Sequence, residues 1–281
     1  MNAIEIKNLS KSFSDFKLDN INLVLPGGCI MGLIGENGAG KSTLIKLILN
    51  ILKKDSGTIT VLGRDSENSI NIAKEEIGVV LDEVGIPEFL DARQVGRVMS
   101  NIFKNWNNDV YESYLKSLSL PENKPFKDFS RGMKMKLGIA IALSHESKLL
   151  ILDEATSGLD PIIRDEVVDI FADFARDEEH SVLVSSHIVS DLEKICDYIT
   201  FLHKGKILVC EEKDMLLSKY GIIRCTLDEF STLDRNIIKY KKESSYGVEA
   251  VVYRDRVPGG IKVDRVGLEE LFVAMAKGAN V

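Results

Sequence analysis

Two short runs of residues could do chemistry together. Gly35-Glu36-Asn37-Gly38-Ala39-Gly40-Lys41-Ser42-Thr43 carries the spacing Gly-x-x-x-x-Gly-Lys-Ser, the pattern of a loop that wraps phosphate groups. The glycines let the backbone curl until successive N–H groups point at phosphate oxygens, with Asn37 and Ala39 completing the cradle. A following helix adds its positive end. Lys41 is expected to reach the β- and γ-phosphates, the Ser42 hydroxyl to serve Mg²⁺, and Thr43 to contact phosphate through its backbone or hydroxyl. The second run, Leu149-Leu150-Ile151-Leu152-Asp153-Glu154, reads as an apolar strand delivering two carboxylates at its carboxyl end, where ligands of open α/β sheets bind. Asp153 suits Mg²⁺ or its water, and Glu154 suits accepting a proton from an attacking water, or orienting it.

These runs need elements to position them. Cys29-Ile30-Met31-Gly32-Leu33-Ile34 is a continuous apolar run, as in a strand buried on both faces, and it leads straight into the glycine loop. A helical pattern follows through Leu44, Leu47, Ile48 and Ile51. Alternating segments at Ile4/Ile6 and Ile21/Leu23/Leu25 predict antiparallel strands ahead of it. Further strands are expected at Thr58 to Leu62, Ile77 to Leu81, Leu149 to Leu152 and Ser181 to Val184, with a helix over Pro161 to Ala175. This alternation implies a parallel, helix-covered sheet. The stretch from about Ala92 to Leu143 is helical in pattern and poor in strands. Ile199 to Leu202 and Lys206 to Val209 flank His203-Lys204-Gly205 as a hairpin, and the core is expected to close near Leu217. The tail holds strand-like segments such as Glu249 to Tyr253. It ends in an amphipathic helix with Leu268, Leu271, Phe272 and Met275 on one packing face and Gly278 as its stop.

Composition narrows the classes. With 281 residues, 44% of them hydrophobic, the chain can bury one sizeable core and a smaller attached lobe. A formal net charge of −7 argues against a nucleic-acid partner, since phosphate neutralisation favours a basic face. No run approaches the ~18 apolar residues of a membrane-spanning helix, so direct membrane insertion is not expected. The N-terminus alternates like a strand and lacks a secretory signal, which predicts a cytoplasmic protein. Cys29, Cys196, Cys210 and Cys225 form no metal-binding or redox pair and are expected as reduced, buried thiols.

With the two runs in place, the sequence resembles the nucleotide-binding domain of ABC transporters. Phe129-Ser130-Arg131-Gly132-Met133 occupies the place of the family's Leu-Ser-Gly-Gly-Gln signature, matching it at Ser130 and Gly132. Ala155-Thr156-Ser157-Gly158-Leu159-Asp160 resembles the D-loop, and His187 stands where the family keeps its switch histidine. Phe13 matches the aromatic that stacks on adenine, with Phe16 as a possible substitute. The resemblance implies ATP and Mg²⁺ as cofactors and a P-loop ABC ATPase fold of the α/β class, with a RecA-like core, an antiparallel β subdomain and a helical subdomain. It also implies that Ser130 and Gly132 of one subunit close over the γ-phosphate held by a second, that Asp160 communicates between the two sites, and that His187 contacts the γ-phosphate and holds Glu154 and water in geometry. Two departures stand out. Arg131 replaces a signature glycine, with activity expected to survive. Asp82 and Glu83 stand where a glutamine touching Mg²⁺ and the attacking water is usual.

The resemblance covers about Ala3 to Val209 strongly and the tail weakly. It implies an ABC ATP-binding domain over residues 1–217, with a helical subdomain over about 88–147, and a small C-terminal α/β accessory region over 218–281. Asp82-Glu83, Asn105-Trp106 and the run from Phe129 to Lys136 look like a bacterial exporter branch, some of whose members handle peptides or drugs. Implied partners are a second ABC ATPase subunit, identical or not, and separate transmembrane permease subunits contacted by residues around Ile86 to Leu90. The protein would sit on the cytoplasmic face of the cell membrane. An ABC ATPase acting on a soluble complex is the alternative, disfavoured by a single compact cassette without heptads.

Overall fold

The computed structural model describes residues 1–67, 74–82, 85–245 and 247–278. It opens with an antiparallel ribbon, β1 (Asn2–Ser12) and β2 (Lys17–Pro26). β3 (Ile30–Ile34), buried at every residue, then runs into the glycine loop and α1 (Lys41–Ile48). β4 (Ser56–Val61), β5 (Arg64–Asp65) and β6 (Ile77–Val80) follow. β4 stops short of Leu62 because that residue turns into the left-handed region, at φ 49°.

A helical region comes next: α2 (Ala92–Ile102), α3 (Asn108–Ser117) and α4 (Arg131–Ala142). Each begins on a side-chain cap, from Asp91, Asn107 and Ser130 respectively, which satisfies backbone N–H groups that the first turn leaves open. The region has its own core, in which Tyr111 is buried and its hydroxyl donates to the Ala92 carbonyl at 2.8 Å.

The chain then returns to the sheet through β7 (Leu149–Asp153), α5 (Pro161–Phe174), β8 (Ser181–Ser186), α6 (Val189–Ile195), β9 (Tyr198–His203) and β10 (Lys206–Glu212). The central sheet has the order β10-β9-β3-β8-β7-β6, parallel throughout except for the β9–β10 hairpin. Its strands feed two cores. Met31, Leu33, Leu149, Ile151 and Leu183 face α1 and the antiparallel sheet β2-β1-β4-β5, while Ile30, Ile34, Leu150, Leu152, Val182 and Val184 face α4, α5 and α6. Full burial of one such aliphatic side chain contributes roughly 1.5–3 kcal/mol, so continuous apolar strands are required here.

Beyond α7 (Lys213–Lys219), a third sheet is built from β11 (Tyr220–Cys225), β12 (Ile238–Ser244), β13 (Gly247–Tyr253) and β14 (Val263–Asp264) in the order β12-β13-β11-β14. A short α8 (Leu227–Ser231) and the closing α9 (Leu268–Gly278) complete it. The expected packing face of α9 is real: Leu268, Leu271 and Ala274 are buried in the core that contains Leu192, Phe201 and Leu216, and Phe272 meets Phe201 edge-on at 5.3 Å. The core therefore does not close at Leu217, because Tyr220, Ile222, Val251 and Val266 continue it.

The cysteines are unpaired, but Cys196 alone among them is fully buried. Cys29 sits in the turn before β3, Cys210 on the outer strand β10, and Cys225 at the end of β11, and all three are half-buried. Desolvation raises the pKa of the Cys29, Cys196 and Cys225 thiols, which keeps them protonated and unreactive.

Candidate functional site

Four neighbouring parallel strands, β3, β8, β7 and β6, end at the same edge of the sheet. Immediately beyond them stand the glycine loop, His187, Asp153-Glu154 and Asp82, which are far apart in the chain. Parallel pairing produces this, with Ile34 level with Ser186, Asp153 with Ser185, and Val80 with Leu152. The edge opens into a cavity of about 780 Å³ lined by Asp15, Phe16, Glu36, Asn37, Gly38, Gly40, Lys41, Ser42, Thr43, Asp82, Arg131, Glu154, Ser157 and His187.

The loop is shaped by its neighbours. Gly40 precedes α1 at φ 109°, and a Cβ there would stand 2.6 Å from the Phe16 ring and 2.8 Å from Leu18, so any other residue would be strained and would displace those side chains. The Gly205 N–H donates to the Ala39 carbonyl at 3.1 Å, tying the loop to the β9–β10 turn. Lys41 is almost fully enclosed. Its Nζ donates to the Gly35 carbonyl at 2.7 Å and lies 3.1 Å from Glu154 Oε1. The ammonium thus occupies the mouth of the cradle, held by groups that phosphate oxygens would replace.

Glu154 is the most constrained residue of the site. Its backbone is left-handed, at φ 53°, a conformation that costs a non-glycine residue of order 1 kcal/mol and collects at functional sites. Its N–H donates to the Ser185 carbonyl and to Ser185 Oγ, both at 3.1 Å. Its Oε2 accepts a 2.7 Å hydrogen bond from His187 Nδ1. Burial works to raise its pKa, but the charge of Lys41 and the bond from His187 outweigh burial and hold the carboxyl below its ordinary value. Asp153 is buried beside it and accepts a 2.6 Å bond from Ser185 Oγ. Ser185 therefore orients the Asp153 carboxylate and pins the Glu154 backbone, a role the sequence analysis missed. The available signal was a serine directly after the apolar run Val182 to Val184, two positions before His187.

The other expected residues divide. Phe16, not Phe13, lines the cavity; Phe13 is 44% exposed in the turn between β1 and β2. Its N–H is bonded to the Phe16 carbonyl, a tight turn that carries the second ring toward Gly40. Ser130, Gly132 and Asp160 lie outside the cavity wall. Ser130 Oγ accepts from the Met133 N–H at 3.2 Å as the cap of α4, Gly132 packs against Ile163, and Asp160 caps α5 by accepting from Ile162 and Ile163 at 3.1 Å. Neighbours of each motif do reach the wall, namely Arg131 and Ser157. Asp82 is in the wall and bound by Arg131, while Glu83, the second carboxylate expected there, lies outside the described residues. Among the described residues no cluster of three or more His, Cys, Asp or Glu side chains forms a metal cage.

Residues 18–157 match the family model described as ABC transporter. The chain is 37% identical over 214 residues to the lantibiotic transport ATP-binding protein SrtF of Streptococcus pyogenes, covering 75% of this chain and 91% of that protein. The chain belongs to the ABC transporter family. It is also 31% identical over 256 residues to the bacitracin transport ATP-binding protein BcrA of Enterococcus faecalis, covering 90% of this chain and 82% of that one. Among solved structures, an ATP-binding subunit of an ABC transporter superposes with a TM-score of 0.66 at 26% identity, over 76% of this chain and 91% of that chain. A dimeric ATP-binding cassette in a post-hydrolysis state bound to ADP and Pi shares the fold, with a TM-score of 0.67 at 20% identity over 74% and 98% of the two chains. The molecule is an ATP-binding and ATP-hydrolysing subunit of an ABC transporter. Among the described residues of this ABC transporter subunit, no helix is long and apolar enough to cross a membrane.

Proposed function

We propose that this subunit uses the cavity at the four strand ends to hydrolyse ATP and thereby drives export of a peptide or similar amphipathic compound through separate transmembrane subunits. The observation that carries the reading is the contact chain Lys41–Glu154–His187 inside the cavity, with Ser185 bonded to the Asp153 carboxylate and to the Glu154 backbone N–H. The proposed division of the chain is a cassette over residues 1–217, whose helical part spans about 88–147, and an accessory region over 218–281.

In this reading the N–H groups of Asn37 to Thr43 and the Lys41 ammonium hold the phosphates, and the Phe16 ring, with Phe13 as the alternative, borders the adenine. Entry of the triphosphate draws Lys41 from the Gly35 carbonyl and from Glu154 to phosphate oxygens. Freed of that pairing, Glu154 accepts the proton of the attacking water while the bond between the γ-phosphorus and its bridging oxygen breaks. With Nδ1–H donated to Glu154, His187 can also donate from Nε2 to the γ-phosphate when its ring is protonated. The Ser42 hydroxyl and the buried Asp153 carboxylate, both hard oxygen donors, would hold a Mg²⁺ ion. When bound, that ion would neutralise charge developing on the phosphates.

Ser130, Gly132 and Asp160 do not line their own chain's cavity, which supports their use across an interface with a second cassette. In that arrangement the helix N-terminus at Ser130 would meet the partner's γ-phosphate. For the transmembrane partner, Phe89, Val98 and Ile102 are exposed apolar side chains of the helical region, whereas Ile86 is buried in its core. Phe89 is thus the better contact within Ile86 to Leu90. Such a complex places the subunit on the cytoplasmic face of the membrane. The peptide cargo rests on the names of the relatives.

Glu154→Gln tests the assignment. Phosphate release should fall by about 10²- to 10⁴-fold, with MgATP binding retained and dimers accumulating on a sizing column. Hydrolysis at the wild-type rate would remove Glu154 from its role.

A further inference from the structure

The two residues that depart from the family pattern are bonded to each other. Arg131 Nη2 donates to Asp82 Oδ1 at 2.7 Å, and both side chains line the cavity. The guanidinium also lies over the turn that follows Glu154: a Cβ on Gly158, which sits at φ 69°, would be 2.9 Å from Arg131 Nη1. One side chain therefore touches the loop after β6, the turn before α5 and the phosphate cavity.

The charge balance of the cavity gives the contact a purpose. The wall carries the carboxylates of Asp15, Glu36, Asp82 and Glu154 against the permanent cations Lys41 and Arg131. Lys41 is engaged with Glu154, so Asp82 would present a net negative charge to an incoming polyanion if Arg131 did not cover it. Both partners are half-exposed, at 52% and 53%, so solvent weakens the pair and leaves it open to exchange.

Resting on the reading of this cavity as the nucleotide site, we propose that Asp82 and Arg131 act as one compensating unit. Arg131 is a positioning residue that neutralises the Asp82 carboxylate in the unliganded chain, and the pair opens when a magnesium-bound nucleoside triphosphate enters. No covalent step is involved. The guanidinium exchanges the carboxylate for phosphate oxygens. The glycine at 158 is what leaves room for the guanidinium in its resting position.

The test is binding of a fluorescent ATP analogue with Mg²⁺ to the full chain, for wild type, Asp82→Asn, Arg131→Gln, Arg131→Lys and the double variant Asp82→Asn/Arg131→Gln. Arg131→Gln should weaken binding about two- to fivefold, the range of a half-exposed ion pair. Arg131→Lys should recover most of the loss. In the presence of Asp82→Asn, Arg131→Gln should cost more than in its absence, because the guanidinium then reaches the phosphates without first giving up a carboxylate, and raising the salt concentration should shrink the wild-type advantage. An equal loss with and without Asp82→Asn overturns the proposal, because Arg131 would then meet the phosphates independently of Asp82. A thermal melt lowered by Arg131→Gln but restored by Arg131→Lys, without rescue by Asp82→Asn, also overturns it in favour of a structural role. Absence of nucleotide binding by the wild-type chain would instead sink the reading of the cavity and the pair with it.

Discussion

The two sides of the cavity proposed to hold the nucleotide are built differently. On one side, Lys41, Asp153 and Glu154 stand on strand ends and a helix start, largely withdrawn from water, and Ser185 and His187 fix the carboxylates. On the other side, Arg131 and Asp82 of the wall, and Ser130 and Asp160 beside it, are exposed at helix starts and in loops, and Ser130 and Asp160 spend their oxygens capping their own helices. The strand-end side is preorganised within one chain. The opposite side is held by weak, replaceable bonds, as the proposed use of these residues across an interface would need.

This contrast can be broken by substitution. The largest effect is expected from Lys41→Ala, which removes the buried cation and leaves Glu154 uncompensated. Hydrolysis should fall by at least about 10²-fold, as for loss of a preorganised electrostatic group, measured as steady-state phosphate release. Next comes Ser185→Ala. Loss of the hydroxyl bonded to both Asp153 and the Glu154 N–H should destabilise the unliganded chain by about 1–3 kcal/mol. It should also reduce activity about 10- to 100-fold, the usual cost of removing a group that orients a metal ligand, with added Mg²⁺ recovering part of it. Ser130→Ala should cost the monomer only about 1 kcal/mol in a urea titration, as an exposed helix cap. If its cost matched that of Ser185→Ala, the contrast between the two sides would fail.

The smallest effect is one of pH. Because the folded Glu154 carboxyl titrates below its ordinary value, its pairing contributes stability above an unfolded pKa of about 4.3. That contribution is lost as pH falls through the lower folded value. The difference in melting temperature between wild type and Glu154→Gln should therefore be flat from about pH 5 to 7 and shrink in more acidic buffer. A difference that stays constant into acid would mean that the Lys41 and His187 contacts do not govern this carboxyl.

Much of the strand-end side could be read before any coordinates, because its signals are local. A glycine loop between a buried strand and a helix, or paired carboxylates after an apolar strand, is confined to about ten residues. The choice between Phe13 and Phe16 was not local. It depends on a turn whose hydrogen bond directs one ring outward and the other onto Gly40. Ser185 was equally hidden, since its hydroxyl matters only through its register with Asp153 on the neighbouring strand.

By itself the sequence determined the family, the parallel sheet and the phosphate loop, because these rest on hydrophobic period and on short motifs whose spacing encodes their geometry. Tertiary structure alone decided which residues share the cavity wall. Strands β3, β8, β7 and β6 are adjacent in space and scattered in sequence, so the meeting of Lys41, Glu154 and His187 is a consequence of strand order. The pairing of Asp82 with Arg131, 49 positions apart, has the same origin. Two departures that look independent along the chain become one ion pair once α4 packs beside β6.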